Sequence, residues 1–325
     1  MLNRRRFVER GLFASCAALG TLASRPLHAA TSGTYSGRIV DTHVHLFDPT
    51  RPGGIPWPLP GDLIDEPTLP ARYEAMAQSL GVVGAIAIEA SPLVSDNDWL
   101  LGVVASSPIM VGMIGDIVPT APDFDAQLDR LRMNPLFLGV RHGNLWNRSL
   151  SADTDSPLFW TAMRQLSEAK LVLESANPDL PLLAALLKVV EKEPTLTVVI
   201  DHLPHLEQPS TAQEQRRAAD LVAQLGKAPH TFAKLSEIPE QAKGQPVLDP
   251  AVYRKRLDRL WSAFGPDKLM FGSDWPNSDH VASFDATLGL VKQYVSTQHG
   301  DAQEKFFFRN SKAAYRWHAK TPSQL

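Results

Sequence analysis

Residues 38–49 read RIVDTHVHLFDP. The apolar start, Ile39-Val40, reads as a buried strand, and successive strand side chains point to opposite faces. His43 and His45 therefore project the same way, with Asp41 beneath them on that face. Buried imidazoles without partners cost free energy, so a metal, a polar substrate or ordinary hydrogen bonds must satisfy them. A strand that ends in such a cluster raises the question of how many other strands do the same.

Seven more apolar, β-branched runs follow: 82–90, 109–118, 137–143, 170–176, 196–203, 231–237 and 268–276, after the first at 38–47. Between them lie segments with helical spacing, such as Phe124, Leu128 and Leu131 within 123–132. Ser156-Pro157 and Asp249-Pro250 read as caps followed by proline at the first helical position. Near-continuous apolar strands alternating with helices indicate a parallel sheet covered on both faces. Eight such units predict an α/β fold, a distorted (β/α)8 or TIM barrel, as one domain over 31–325. The rival, a doubly wound open sheet, lacks its glycine-rich first turn here. RPGGIPWPLPGD at 51–62 reads as a rigid irregular lid.

Polar residues gather at the predicted C-terminal strand ends: His43, His45, Glu89, Arg141, His142, Glu174, Asp201, His202, Lys234 and Asp274. Each has a bland reading as a cap, a loop tie or a surface pair. In a barrel, however, those ends form one rim where substrate binds. Alternation in Ala85-Ile86-Ala87-Ile88-Glu89 predicts isoleucines toward the helices, with the alanines and Glu89 inward.

Asn3-Arg4-Arg5-Arg6-Phe7-Val8, the apolar GLFASCAALGTLA and small residues near 29–31 are similar to a twin-arginine export signal. Residues 1–30 are expected to engage the twin-arginine export machinery and be removed, leaving a periplasmic or secreted chain. The single cysteine, Cys16, lies in that segment, so the mature chain has neither disulfides nor thiolate chemistry. Five arginines and one glutamate leave with it, taking the formal charge from −3 to −7. A mildly acidic body without a basic run excludes the usual nucleic-acid footprint. No apolar run is long enough for a membrane span, so no stable insertion of the mature chain is expected.

DTHVH at the first strand, GVRH at 139–142, VIDHL at 199–203, KLS at 234–236 and FGSDWP at 271–276 together resemble the amidohydrolase-related lactonases. Those are (β/α)8 hydrolases that include sugar lactonases and 2-pyrone-4,6-dicarboxylate lactonase. FFFRNSKAAY at 306–315 resembles the family's closing helix, and the likeness spans 38–317. The resemblance implies that His43 and His45 form the first-strand pair, His202 the sixth-strand histidine, and Asp274 the residue that activates water. It implies one divalent metal, zinc as first candidate, held by His43, His45, Glu89 and Asp274, with a metal-free mechanism left open. Binuclear relatives carry a fifth-strand histidine, where this chain has Leu173-Glu174, so a two-metal site is not expected. LPHLEQP at 203–209 lacks a cation after the sixth strand, which argues against a dicarboxylate substrate.

Opening a lactone needs a nucleophilic water, a base, and hydrogen-bonding or positive groups where carbonyl charge develops. Asp274 is the expected base, with His43, His45 and His202 polarising the carbonyl. Arg141, His142, Lys234 and Trp275 are expected at the small-molecule substrate, with Trp57 and Trp146 as further walls. Amide hydrolysis or decarboxylation on the same barrel is the alternative, and an exported carbohydrate- or organic-acid-binding protein without turnover is the second.

Overall fold

The computed structural model describes residues 35–206 and 210–325; the expected export segment, with Cys16, lies outside the described residues. Eight parallel strands carry the fold: β1 (Ile39–His45), β2 (Val82–Ile88), β3 (Met110–Gly115), β4 (Phe137–Arg141), β5 (Val172–Ser175), β6 (Thr197–Ile200), β7 (Thr231–Leu235) and β8 (Leu269–Phe271). They hydrogen-bond in sequence order. The ring closes just beyond β8, where Val44 bridges Trp275. There the His45 amide donates to the Trp275 carbonyl at 2.8 Å and the Asp274 amide to the His43 carbonyl at 2.9 Å. The result is the expected (β/α)8 barrel.

The main outer helices are α1 (Pro70–Ala77), α2 (Asp96–Ala105), α3 (Phe124–Leu131), α4 (Pro157–Glu168), α5 (Leu180–Lys192), α6 (Ala212–Lys227), α7 (Pro250–Phe264) and α8 (Phe284–Val295). Phe124, Leu128 and Leu131 are the buried stripe of α3. Pro157 and Pro250 open α4 and α7, and Asp249 accepts from the Ala251 amide at 2.9 Å, whereas Ser156 makes no side-chain cap bond.

One buried cluster takes residues from every strand: Val40, Ile86, Ile88, Val111, Leu138, Val172, Val199, Phe232 and Met270. Beside Ile114 of β3, its remaining members, Phe308, Ala314, Tyr315 and Trp317, come from the C-terminal segment, which identifies it as the barrel interior with its plug. Ala85 and Ala87 instead belong to the larger core shared with the helices. The expected facing of β2 is thus reversed: the isoleucines fill the interior and the small alanines lie under the helices. Alternation itself holds along β2, but it does not say which face is inward. In β1 it fails, since Val40 lies in the interior cluster and Val44 in the outer core, across the register shift between Asp41 and Val44.

The shift after Asp41 also moves that carboxylate away from the histidines. Its oxygens accept from the Tyr73 hydroxyl of α1 at 2.9 Å and from the Ser273 and His43 amides at 2.9 and 3.1 Å. Asp41 is a brace between β1, β8 and α1. β8 ends at Phe271, short of the expected 276, and Gly272 then passes against β1; a Cβ there would lie 2.8 Å from the His43 Cβ. In the plug, Asn310 Nδ2 donates to the Pro266 and Leu269 carbonyls, each at 2.8 Å, tying the closing helix to the start of β8.

Candidate active site

His43 and His45 at the end of β1 meet Asp274, three residues beyond β8. His43 Nε2, His45 Nε2 and Asp274 Oδ1 are mutually 3.2 Å apart. His202, just after β6, turns its Nε2 toward the same Oδ1 at 3.9 Å. All four are buried. Asp274 and His202 adopt left-handed backbone, φ 62° and 49°, as does Glu237 after β7 at 53°. Each such non-glycine residue costs about 1 kcal/mol, so the rest of the barrel imposes these conformations.

The hydrogen bonds fix what each group offers. His45 Nδ1 lies 3.2 and 3.1 Å from the Ile88 and Glu89 carbonyls, which only accept, so Nδ1 carries a hydrogen; Nε2 faces Asp274 Oδ1 at 3.2 Å and is the nitrogen open to a metal. His202 Nδ1 pairs with Ser236 Oγ at 2.9 Å, and Arg141 Nη2 approaches its Nε2 at 3.5 Å. Burial pulls the His202 pKa down to about 4 against the opposing pull of Asp274 and Asp201. Burial, then the Lys234 ammonium, hold His43 well below its usual value. Burial alone would raise Asp274, but the His202, His45 and His43 rings outweigh it and keep the carboxyl well below the ordinary range.

Beneath His43 lies a sealed ionic layer. Lys234 Nζ reaches Glu174 Oε1 at 2.7 Å, Asp201 Oδ1 at 3.1 Å and His43 Nδ1 at 3.2 Å. Tyr315, rising from the plug, donates to Glu174 Oε2 at 2.6 Å. Arg141 spans the ring, with Nε 3.0 Å from Asp201 Oδ2 and Nη1 3.3 Å from Glu89 Oε1.

Several expected contacts go elsewhere. Glu89 is held by Arg141, by the Trp146 Nε1–H at 3.0 Å and by the Ser91 amide at 3.1 Å, and it does not join the donor cluster of His43, His45 and Asp274. His142 turns to Asp153 at 2.6 Å, on the short helix Leu150–Asp153 that precedes α4. Lys234 is fully buried in the ionic layer, out of a substrate's reach. Trp275 is 1% exposed and packs on Tyr73, ring centroids 5.5 Å apart, with the Arg72 guanidinium over it. Trp57, from the expected lid, does stand edge-on to His45 at 5.5 Å. The lid is moored by Asp62–His280 at 2.6 Å and Arg51–Asp96 at 2.6 Å.

Glu237, Ser236 and Asn277 were missed as site residues. Asn277 Nδ2 bridges Asp274 Oδ2 at 2.6 Å and Glu237 Oε1 at 3.0 Å. KLSE gives no sign that Glu237 leaves its strand and turns into the site, because that depends on its left-handed backbone.

A divalent metal fits this donor set. Around a tetrahedral zinc with 2.0–2.1 Å bonds, ligand atoms lie about 3.3 Å apart, close to the 3.2 Å edges of the His43, His45, Asp274 triangle. The buried Asp201 Oδ1 is paired with the Lys234 ammonium at 3.1 Å and faces His43 Nδ1 at 3.6 Å. For Nε2 to serve as a ligand the His43 hydrogen must sit on Nδ1, where Asp201 Oδ1 at 3.6 Å is the acceptor and the Lys234 ammonium at 3.2 Å, itself a donor, competes for that nitrogen.

The amidohydrolase family model matches residues 40–317. An L-fucono-1,5-lactonase of Burkholderia ambifaria is 26% identical over 283 residues, covering 85% of this chain and 95% of that protein. An amidohydrolase of Burkholderia multivorans solved with bound zinc aligns with TM-score 0.75 at 21% identity, covering 86% of this chain and 100% of that one. A probable 2-pyrone-4,6-dicarboxylic acid hydrolase of Acinetobacter baumannii, solved with citric acid, aligns at 0.68 and 18% identity, covering 86% and 99%. The chain belongs to the amidohydrolase family and is a hydrolase.

Proposed function

We propose that this hydrolase opens a small sugar or hydroxy-acid lactone, with Asp274 as the base. The observation that carries the reading is the triangle of His43, His45 and Asp274 atoms at 3.2 Å edges on the C-terminal rim of the barrel. The likeness to L-fucono-1,5-lactonase supports the substrate class.

In this reading Asn277 holds Asp274 Oδ2 and so orients the carboxylate that acts on the attacking water. Water adds to the carbonyl carbon as the Asp274 carboxylate takes its proton. The ring C–O bond then breaks, and the same proton returns to the alkoxide. Arg141, pinned by Asp201 and Glu89, supplies positive charge beside His202 as charge develops on the carbonyl oxygen. Trp57 covers His45 and limits solvent at the reacting atoms. A divalent ion held by His43, His45 and Asp274 would act as a Lewis acid on the carbonyl and make water more acidic.

The test is ring opening across a lactone panel, followed with a pH indicator, with and without chelator. Lactone opening abolished by chelation and restored by zinc is expected. Amide hydrolysis or decarboxylation without any lactone opening would contradict the reading.

We also propose export by the twin-arginine route with cleavage near 29–31, supported by Arg4-Arg5-Arg6-Phe7 and the small residues after the apolar stretch. Fractionation of cells expressing the full chain should find a shortened protein outside the cytoplasm; an uncleaved cytoplasmic chain would contradict export.

A further inference from the structure

We propose that Glu237 reads a ring hydroxyl of the substrate, making this a site for polyhydroxylated lactones; the proposal rests on the lactone reading above. Asp201 and Asp274 are sealed at 0% and 1% side-chain exposure, whereas Glu237 is 28% exposed. Its backbone is held at φ 53°, and its carbonyl accepts from the His205 ring. Its Oε1 is fixed by Asn277, the same amide that holds Asp274. Its Oε2 lies 3.6 Å from His202 Nδ1, whose shorter contact is with Ser236. One carboxylate oxygen is thus anchored and the other left open beside the reacting centre.

His202, Glu237 and Asp274 offer donor atoms within 4.8 Å of one another, so a second metal is the competing role. The geometry opposes it. The Asn277 amide fills the space between the two carboxylates, and His202 Nδ1 is engaged by Ser236. Burial and the neighbouring Asp274 raise the Glu237 pKa well above the usual carboxyl range. With donor atoms of Glu237 and Asp274 within 4.8 Å of each other, a hydroxyl on a ring carbon near the carbonyl is the group that Oε2 is placed to hydrogen-bond.

Glu237→Ala and Glu237→Gln should be assayed on a hexono-1,5-lactone and on δ-valerolactone, with metal content measured alongside. The expected result is that preference for the hydroxylated ring, as the ratio of kcat/KM values, falls about tenfold to a hundredfold in Glu237→Ala. Glu237→Gln, which keeps an acceptor oxygen, should fall less, and bound metal should not change. Equal losses on both lactones, an unchanged ratio, or lost metal would each overturn the proposal. Wild-type protein that opens neither lactone contradicts the lactone reading instead. In that case calorimetric binding of a hexonate against 5-hydroxypentanoate reads Glu237 on its own: Glu237→Ala should erase a preference for the hexonate, and an unchanged preference, or none in the wild type, overturns the contact.

Discussion

His202 stays neutral down to about pH 4 in the folded chain because burial opposes its charge. An unfolded histidine takes its proton near 6.5. Between those values the unfolded state binds more protons, so this contribution is complete above about 6.5 and fades as pH falls to 4, by up to about 3 kcal/mol. Urea midpoints between pH 7 and 4 should decline less steeply for His202→Asn than for the wild type; equal slopes would contradict the assignment. Asp201 tests a second residue-scale claim. Replacing it by Asn should weaken zinc binding about ten- to a hundredfold, read by competition with a chromophoric chelator, and unchanged affinity would remove it from the support of His43. At this scale the sequence was partly legible. His43, His45, His202 and Asp274 stood out as chemistry at strand ends, and they do meet. Glu89, His142, Lys234 and Trp275 stood at the same ends, yet a single residue's direction there depends on bulges and left-handed turns that carry no local signal.

Strands and helices were more legible, since apolar period and proline caps act locally. All eight strands fall within their expected runs, and the errors lie at the C-terminal ends, where the chain leaves the ladder to build the site. Gly139 in β4 shows how tight that ladder is: a Cβ there would stand 2.3 Å from the Val172 carbonyl oxygen of β5. Gly139→Ala must separate β4 from β5 beside Arg141, and a loss of at least about 1–3 kcal/mol is expected in denaturant melts. No change would mean the strands slide freely. The plug makes an equally specific claim. Tyr315→Phe leaves Glu174 Oε2 without its 2.6 Å donor inside the barrel. It should cost about 1.5–3 kcal/mol, whereas a neutral effect would show that Lys234 alone holds Glu174.

Across the whole molecule, the fold gathers groups from β1, β6, β7 and β8 onto one rim and seals an ionic layer beneath them. The layer keeps Lys234, Glu174 and Asp201 away from solvent while Tyr315 reaches it from the opposite end of the barrel. Among the described residues no helix is long and apolar enough to cross a membrane. Eight strand ends in order made this convergence readable from the sequence; the ionic layer was not, because its pairs are 60 and 141 residues apart in the chain. The central claim is that the rim hydrolyses a lactone with Asp274 as base. Its most direct test is the rate of hexono-1,5-lactone opening by zinc-loaded wild type and Asp274→Asn, corrected for spontaneous hydrolysis. A drop in kcat of about a hundredfold to ten-thousandfold is predicted, and an Asp274→Asn variant that turns over at the wild-type rate would contradict the account.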